Sequence, residues 1–128
     1  HATMPTDALV KFRDAMKETE EYGFEQVRSE QWALGKKVRE LLVNKGFRSV
    51  AAEGFQAPGV VVSYTDNANI QNGKLFAELG MQIAAGVPLQ CDEPEDFQTF
   101  RLGLFGLDKL HNIDRTVNNL EKVLNQIQ

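Results

Sequence analysis

The sequence predicts an α+β domain: two N-terminal helices followed by a small, mainly antiparallel sheet with helices packed on one face. Three observations predict it. Apolar residues recur at helical spacing as far as Leu42. From Phe47 the period changes to two, in short runs separated by hairpin-length turns. The chain then closes on one clean apolar stripe of Ile113, Val117, Leu120, Leu124 and Ile127. The expected order is α-α-β-β-α-β-β-α, in which the sheet portion is β-β-α-β-β-α, with no internal repeat. The strand order is left open.

Thr6 or Asp7 can cap the first helix, with Pro5 just outside it. Leu9, Phe12, Met16 and Thr19 follow at helical spacing, and Gly23 interrupts after Tyr22. The second helix carries Phe24, Val27, Leu34, Val38, Leu41 and Leu42 on one stripe. It ends at Asn44-Lys45-Gly46, where a glycine suits the left-handed position after a helix. Trp32 lies off that stripe and reads as a partly buried packing residue rather than a cofactor stack. Glu18, Glu20, Glu21 and Glu25 read as a solvated helix face, because nothing supplies a metal's geometry.

Phe47–Ala52 reads as a strand, Gly54–Pro58 as a turn, and Gly59–Tyr64 as a buried strand. Thr65–Asn72 is a polar loop. Asn72-Gly73 could form a tight hairpin turn, but Lys74–Leu79 favours a short helix that stops at Gly80. Met81–Ala85 is a third short strand, with Gly86–Leu89 as the turn leaving it. Cys91–Asp96, around Pro94, is an acidic connector without an EF-hand pattern. After the strand that begins at Thr99 and a turn at Gly106, Asn112 can cap the last helix. His111 is the only histidine besides His1, and it has no Ser, Cys or metal-ligand partner at recognisable spacing. A surface or capping role is expected for it.

The chain has 128 residues, the length of one domain. His1-Ala2-Thr3-Met4 places residues ahead of a methionine and reads as a cloning remnant, with the start of an ordinary internal fragment as the alternative. Residues 1–5 are therefore read as remnant or linker and residues 6–128 as the domain, divided into a helical connector (6–45) and an α+β sandwich (46–128). A net charge of -4 and a pI near 5.2, with Lys and Arg spread along the chain, argue against a nucleic-acid binder. Cys91 is the single cysteine, which excludes an internal disulfide and fits a reducing cytoplasm. No apolar run approaches the roughly 18 residues of a membrane span, and no charged-then-apolar signal segment opens the chain.

Chemistry is suggested at Thr99–Gly106. Phe100, Leu102 and Leu104 alternate onto one face, which reads as core; Thr99, Arg101 and Gly103 point to the other. That second face carries a guanidinium beside a position with no side chain, where something can approach closely. A rigid strand that holds an arginine over open space suits two-point capture of a carboxylate. On the residues alone, an arginine on a solvated strand face is the competing reading.

Phe100-Arg101-Leu102-Gly103-Leu104-Phe105-Gly106, followed by Leu107-Asp108-Lys109-Leu110 and then Asp114-Arg115, resembles the C-terminal end of class-V aminotransferases. These are pyridoxal-phosphate (PLP) enzymes of fold type I, and the likeness is to the alanine–glyoxylate and serine–pyruvate group. It is most specific from about Met81 onward and looser, in element order only, from Asp7 to Leu79. The resemblance implies the small C-terminal domain of such an enzyme. In the family, the arginine of a Phe-Arg-(Ile/Leu)-Gly strand binds the substrate's α-carboxylate, a role that falls on Arg101. Gly103 would leave room beside it, and Thr99 would be a neighbour on the same face.

Transamination also needs PLP on a Schiff-base lysine, an Asp at the pyridine nitrogen and donors around the phosphate. In the family all of these sit in a larger domain, and none of Lys36, Lys37, Lys45, Lys74, Lys109 and Lys122 stands in the family's lysine context. No catalytic, cofactor-binding or metal-binding residue is therefore assigned here. By resemblance, the full-length parent is a cytoplasmic, homodimeric transaminase that moves an amino group between an amino acid and a 2-oxo acid by a ping-pong route. Its missing large domain is the partner of this chain, and the isolated chain is expected to be inactive. A second reading is a non-catalytic amino-acid-binding or regulatory α+β module. The amino donor and acceptor are not read from this sequence.

Overall fold

A computed structural model describes residues 3–127 of the chain. His1 and Ala2, part of the expected N-terminal remnant, lie outside the described residues. The elements in order are α1 (Thr6–Tyr22), α2 (Phe24–Asn44), β1 (Val60–Tyr64), α3 (Ala68–Gln71), α4 (Lys74–Glu78), β2 (Ala84–Ala85), β3 (Thr99–Gly103), α5 (Leu107–His111) and α6 (Ile113–Ile127). The three strands form one antiparallel sheet in the order β1-β3-β2. The expected α+β class, with a small antiparallel sheet, is the observed one.

Alternation along β3 decides where the core lies. Phe100 and Leu102 are buried, as is Leu104 just beyond the strand, and they meet Leu34, Val38 and Leu42 of α2 and Leu120, Val123 and Leu124 of α6. Phe76 of α4 fills the same core, its ring 5.8 Å from that of Phe100. Phe47 closes it edge-on, 5.2 Å from Phe100. The helices thus cover one face of the sheet. α1 departs from this pattern: none of its residues is buried, and Leu9, Phe12 and Met16 are about half exposed or more. Phe24 of α2 is also exposed, so the expected stripe of α2 packs on the core only from Val27 onward, and Trp32, off that stripe, is about half exposed.

Several expected boundaries shift. The helix α1 starts at Thr6 with Pro5 in the cap position and no side-chain cap. The strand expected over Phe47–Ala52 is reduced to one bridge, Ser49 to Ser63, with Val50 N–H donating to Val62 O (3.0 Å) and Tyr64 N–H to Arg48 O (2.9 Å). The ladder would continue through the carbonyl of Val60, but Arg39 of α2 donates to that oxygen (3.1 Å) and to Ala57 O (2.6 Å). A helix side chain has taken the place of a strand.

The expected polar loop contains α3, begun where the Asn67 side chain accepts the Asn69 N–H at 2.8 Å. Gly73, at φ +79°, joins α3 to α4 rather than turning a hairpin. The expected Met81–Ala85 strand shrinks to β2, because Met81 N–H closes the end of α4 on Phe76 O (2.9 Å). The last helix is preceded by a separate short one, α5. Asn112 does not cap α6 with its side chain, which instead turns back to donate to Asp108 O at 2.9 Å. His111 lies at the surface with its ring edge-on to Tyr22, centroids 4.4 Å apart.

Candidate functional site

Arg101 is the middle residue of β3, the central strand, opposite Val62 of β1 and Ala84 of β2. Because Phe100 and Leu102 on either side of it enter the core, its side chain stands on the face that the helices leave uncovered. It is half-buried there, and Nε donates to the carbonyl oxygen of Ala85 at 2.8 Å. No described carboxylate pairs with it, and its two Nη groups have no hydrogen-bonded partner among the described residues. The guanidinium is therefore anchored at one corner, and its far edge stays available for a planar acceptor.

Gly103 shares this face opposite Val60, and a side chain there would meet only the Phe105 ring, at 3.9 Å. The space beside Arg101 on that side is open. Thr99 also belongs to this face by alternation, but it is covered. Only 2% of it is exposed, and Gly86 lies so close that a Cβ at position 86 would fall 1.8 Å from the Thr99 carbonyl oxygen. Of the three residues read from the sequence, Arg101 and Gly103 border open space and Thr99 lies beneath the segment leaving β2. The partner of Arg101, Ala85, is sixteen residues away in the chain, and no spacing rule flagged it.

Other features read from the sequence close on themselves. In the acidic connector, the Glu93 carboxylate accepts the N–H groups of Leu89 (2.5 Å), Gln90 (2.8 Å) and Cys91 (2.8 Å). These backbone donors hold its carboxyl down at about 2, well below the usual 4.5. Gln90 and Asp92 adopt left-handed φ values of 59° and 61° to bring those donors together. Among the described residues no group of His, Cys, Asp and Glu could hold a metal ion. A separate cleft of about 630 Å³ is bordered by Arg48, Tyr64, Asp66, Asp96 and Phe97, and Arg101 does not line it. Arg48 lies 4.1 Å above the Tyr64 ring, and Phe97 meets that ring edge-on at 5.6 Å. The Tyr22 hydroxyl donates to Glu30, which raises the tyrosine's pKa, with burial adding to the shift, and lowers that of the carboxyl.

The arrangement has counterparts of known structure. An alanine–glyoxylate aminotransferase from Nostoc sp. superposes with a TM-score of 0.71 over 97% of this chain, at 17% identity. A ureidoglycine–glyoxylate aminotransferase from Bacillus subtilis gives 0.65 over 89%, at 19% identity. A subgroup IV aspartate aminotransferase from Thermus thermophilus gives 0.58 over 77%, at 21% identity. The chain has the fold of one portion of these aminotransferases. It spans only 33%, 29% and 27% of their respective lengths. No family model and no curated protein matches it. The α+β arrangement around β3 is thus a fold that recurs as one part of these larger proteins. No helix among the described residues is long and apolar enough to cross a membrane.

Proposed function

We propose that this chain is the substrate-carboxylate-binding C-terminal domain of a class-V, PLP-dependent aminotransferase. That enzyme would transfer an amino group between an amino acid and a 2-oxo acid. The observation that carries the reading is Arg101, half-buried on the open face with Nε engaged by Ala85 and both Nη groups unpaired. An arginine without a carboxylate of its own, on the rigid central strand, is ready to receive one from a ligand. Because Nε is occupied, the carboxylate is received end-on, one oxygen to each Nη. Gly103 keeps the approach open, whereas Thr99, covered by the segment leaving β2, takes no part in it.

In this reading the chain does not hold PLP by itself. Lys37 pairs with Asp114 (2.7 Å), Lys45 donates to Asn125, Lys109 donates to Phe105 O (2.9 Å), and Lys36 lies exposed near Glu40. The cofactor's lysine and phosphate donors are assigned to the larger domain of the parent. PLP bound there would supply the electron sink for transamination; this chain would orient the substrate by its carboxylate. The exposed row of Leu9, Phe12 and Met16 on α1 is the surface on which that domain would rest. A homodimeric parent in the cytoplasm belongs to the same reading.

A crystal structure of the full-length parent with pyruvate bound tests it. The carboxylate is expected within about 3 Å of both Nη atoms of Arg101. A carboxylate seated elsewhere, with Arg101 facing solvent, rejects the assignment.

A further inference from the structure

We propose that Gln71 and Gly86 are positioning residues for Arg101: together they pin the one peptide group that holds Nε and so fix the direction of the guanidinium's open edge. The purpose of this device rests on the carboxylate reading above; its geometry does not.

The Ala85 carbonyl that accepts from Arg101 Nε and the Gly86 N–H belong to the same planar peptide. Its N–H donates to Gln71 O at 3.1 Å, and its C=O receives Nε at 2.8 Å. The plane is thus held at opposite ends, by the end of α3 on one side and by Arg101 on the other. The Gln71 side chain completes the grip, with Nε2 donating to Gly86 O at 2.9 Å. Main chain and side chain of one residue therefore fasten both polar backbone groups of Gly86.

Gly86 can sit there only because it has no Cβ, which would lie 1.8 Å from Thr99 O, 2.4 Å from Thr99 C and 2.6 Å from Thr99 Oγ1. Thr99 is two residues before Arg101 on the same strand. The clamp thus ties α3, the segment leaving β2 and the base of Arg101 into one unit. Without it, the two-residue strand β2 would be a weak support, since short edge pairings open readily. Arg101 would then be free to rotate about its own side-chain bonds.

The test is side-chain NMR of the 128-residue chain, with the Arg101 Hε signal identified by its loss in Arg101→Lys. In the wild type, Hε exchange with water should be roughly tenfold slower than that of exposed Arg28, the protection expected of one hydrogen bond. Gln71→Glu preserves shape but removes the donor to Gly86 O, and Gln71→Ala removes the side-chain bond altogether. Both should raise Arg101 Hε exchange several-fold while the core signals of Phe100 and Leu124 stay in place. Gly86→Ala should do the same or more. Unprotected Hε in the wild type, or protection in both Gln71 variants equal to the wild type's, overturns the proposal. Pyruvate added to the full-length parent, in which the carboxylate reading is framed, separates this claim from the one it rests on. Shifts at the Nη groups that weaken in Gln71→Glu support both claims. Silent Nη groups beside a protected, Gln71-dependent Hε would overturn the carboxylate reading and uphold the clamp.

Discussion

Gly35→Ala sets two opposing effects against each other. Gly35 lies buried within α2, where glycine costs about 1 kcal/mol relative to alanine in a helix interior. Propensity alone predicts a gain. A Cβ there, however, would fall 2.6 Å from Pro58 O and 3.0 Å from Pro58 Cα, and both are backbone atoms. That carbonyl is held, since Gln31 Nε2 donates to it at 3.1 Å. Its neighbour Gly59 lies under the Phe105 ring, where a Cβ would approach Cε1 to 2.5 Å. The segment entering β1 has nowhere easy to retreat. Overpacking of this kind costs about 1–3 kcal/mol. Set against the gain of about 1 kcal/mol in propensity, a net destabilisation of up to about 2 kcal/mol is expected, a fall in Tm of up to roughly 10 °C for a domain of this size. Urea and thermal unfolding followed by circular dichroism measure it. Gly46→Ala is the control: at φ +86° with nothing within 4 Å, it should cost only the left-handed strain, about 1–2 kcal/mol. A Gly35→Ala protein more stable than the wild type by the full gain of about 1 kcal/mol would show that the Pro58 segment is not seated on α2.

The Glu93 loop should respond to acid late. Its carboxyl is held at about 2, below the usual 4.5, so the order it confers is complete above the ordinary carboxylate range and is lost as pH falls through about 2. Amide shifts of Leu89, Gln90 and Cys91 should titrate with a midpoint near 2; a midpoint near 4.5 would refute the carboxylate nest. The isolated chain should not form a stoichiometric PLP complex. An absorbance titration that saturates at one PLP per chain, with one lysine trapped by borohydride, would contradict the division of labour between the two domains.

The sequence was most informative where burial follows a short period. Leu34, Val38 and Leu42 of α2, the alternation of β3 and the stripe of α6 all reach the core as their spacing implies. It was least informative where a distant side chain decides the backbone. Arg39 ends the Phe47–Ala52 pairing by occupying Val60 O, and no local propensity encodes that. The short helix α5 was hidden because Leu107 and Leu110 are too few to establish a period before α6 begins. At the candidate site, alternation placed Arg101 and Gly103 on the outer face. The burial of Thr99 and the support from Ala85 depend on where the segment after β2 lies, and that is a tertiary fact.

The central claim is that Arg101 receives a substrate carboxylate, and steady-state kinetics of Arg101→Ala and Arg101→Lys in the full-length parent test it most directly. A charge-assisted hydrogen bond contributes about 1.5–3 kcal/mol, so loss of the pair should lower kcat/KM for amino and 2-oxo acids by roughly two decades or more. Lys, which keeps the charge but not the fork, should fall between Ala and the wild type. The absorbance of the bound cofactor should be unchanged in both variants. Near-normal kcat/KM in a folded, PLP-loaded Arg101→Ala enzyme would contradict the account.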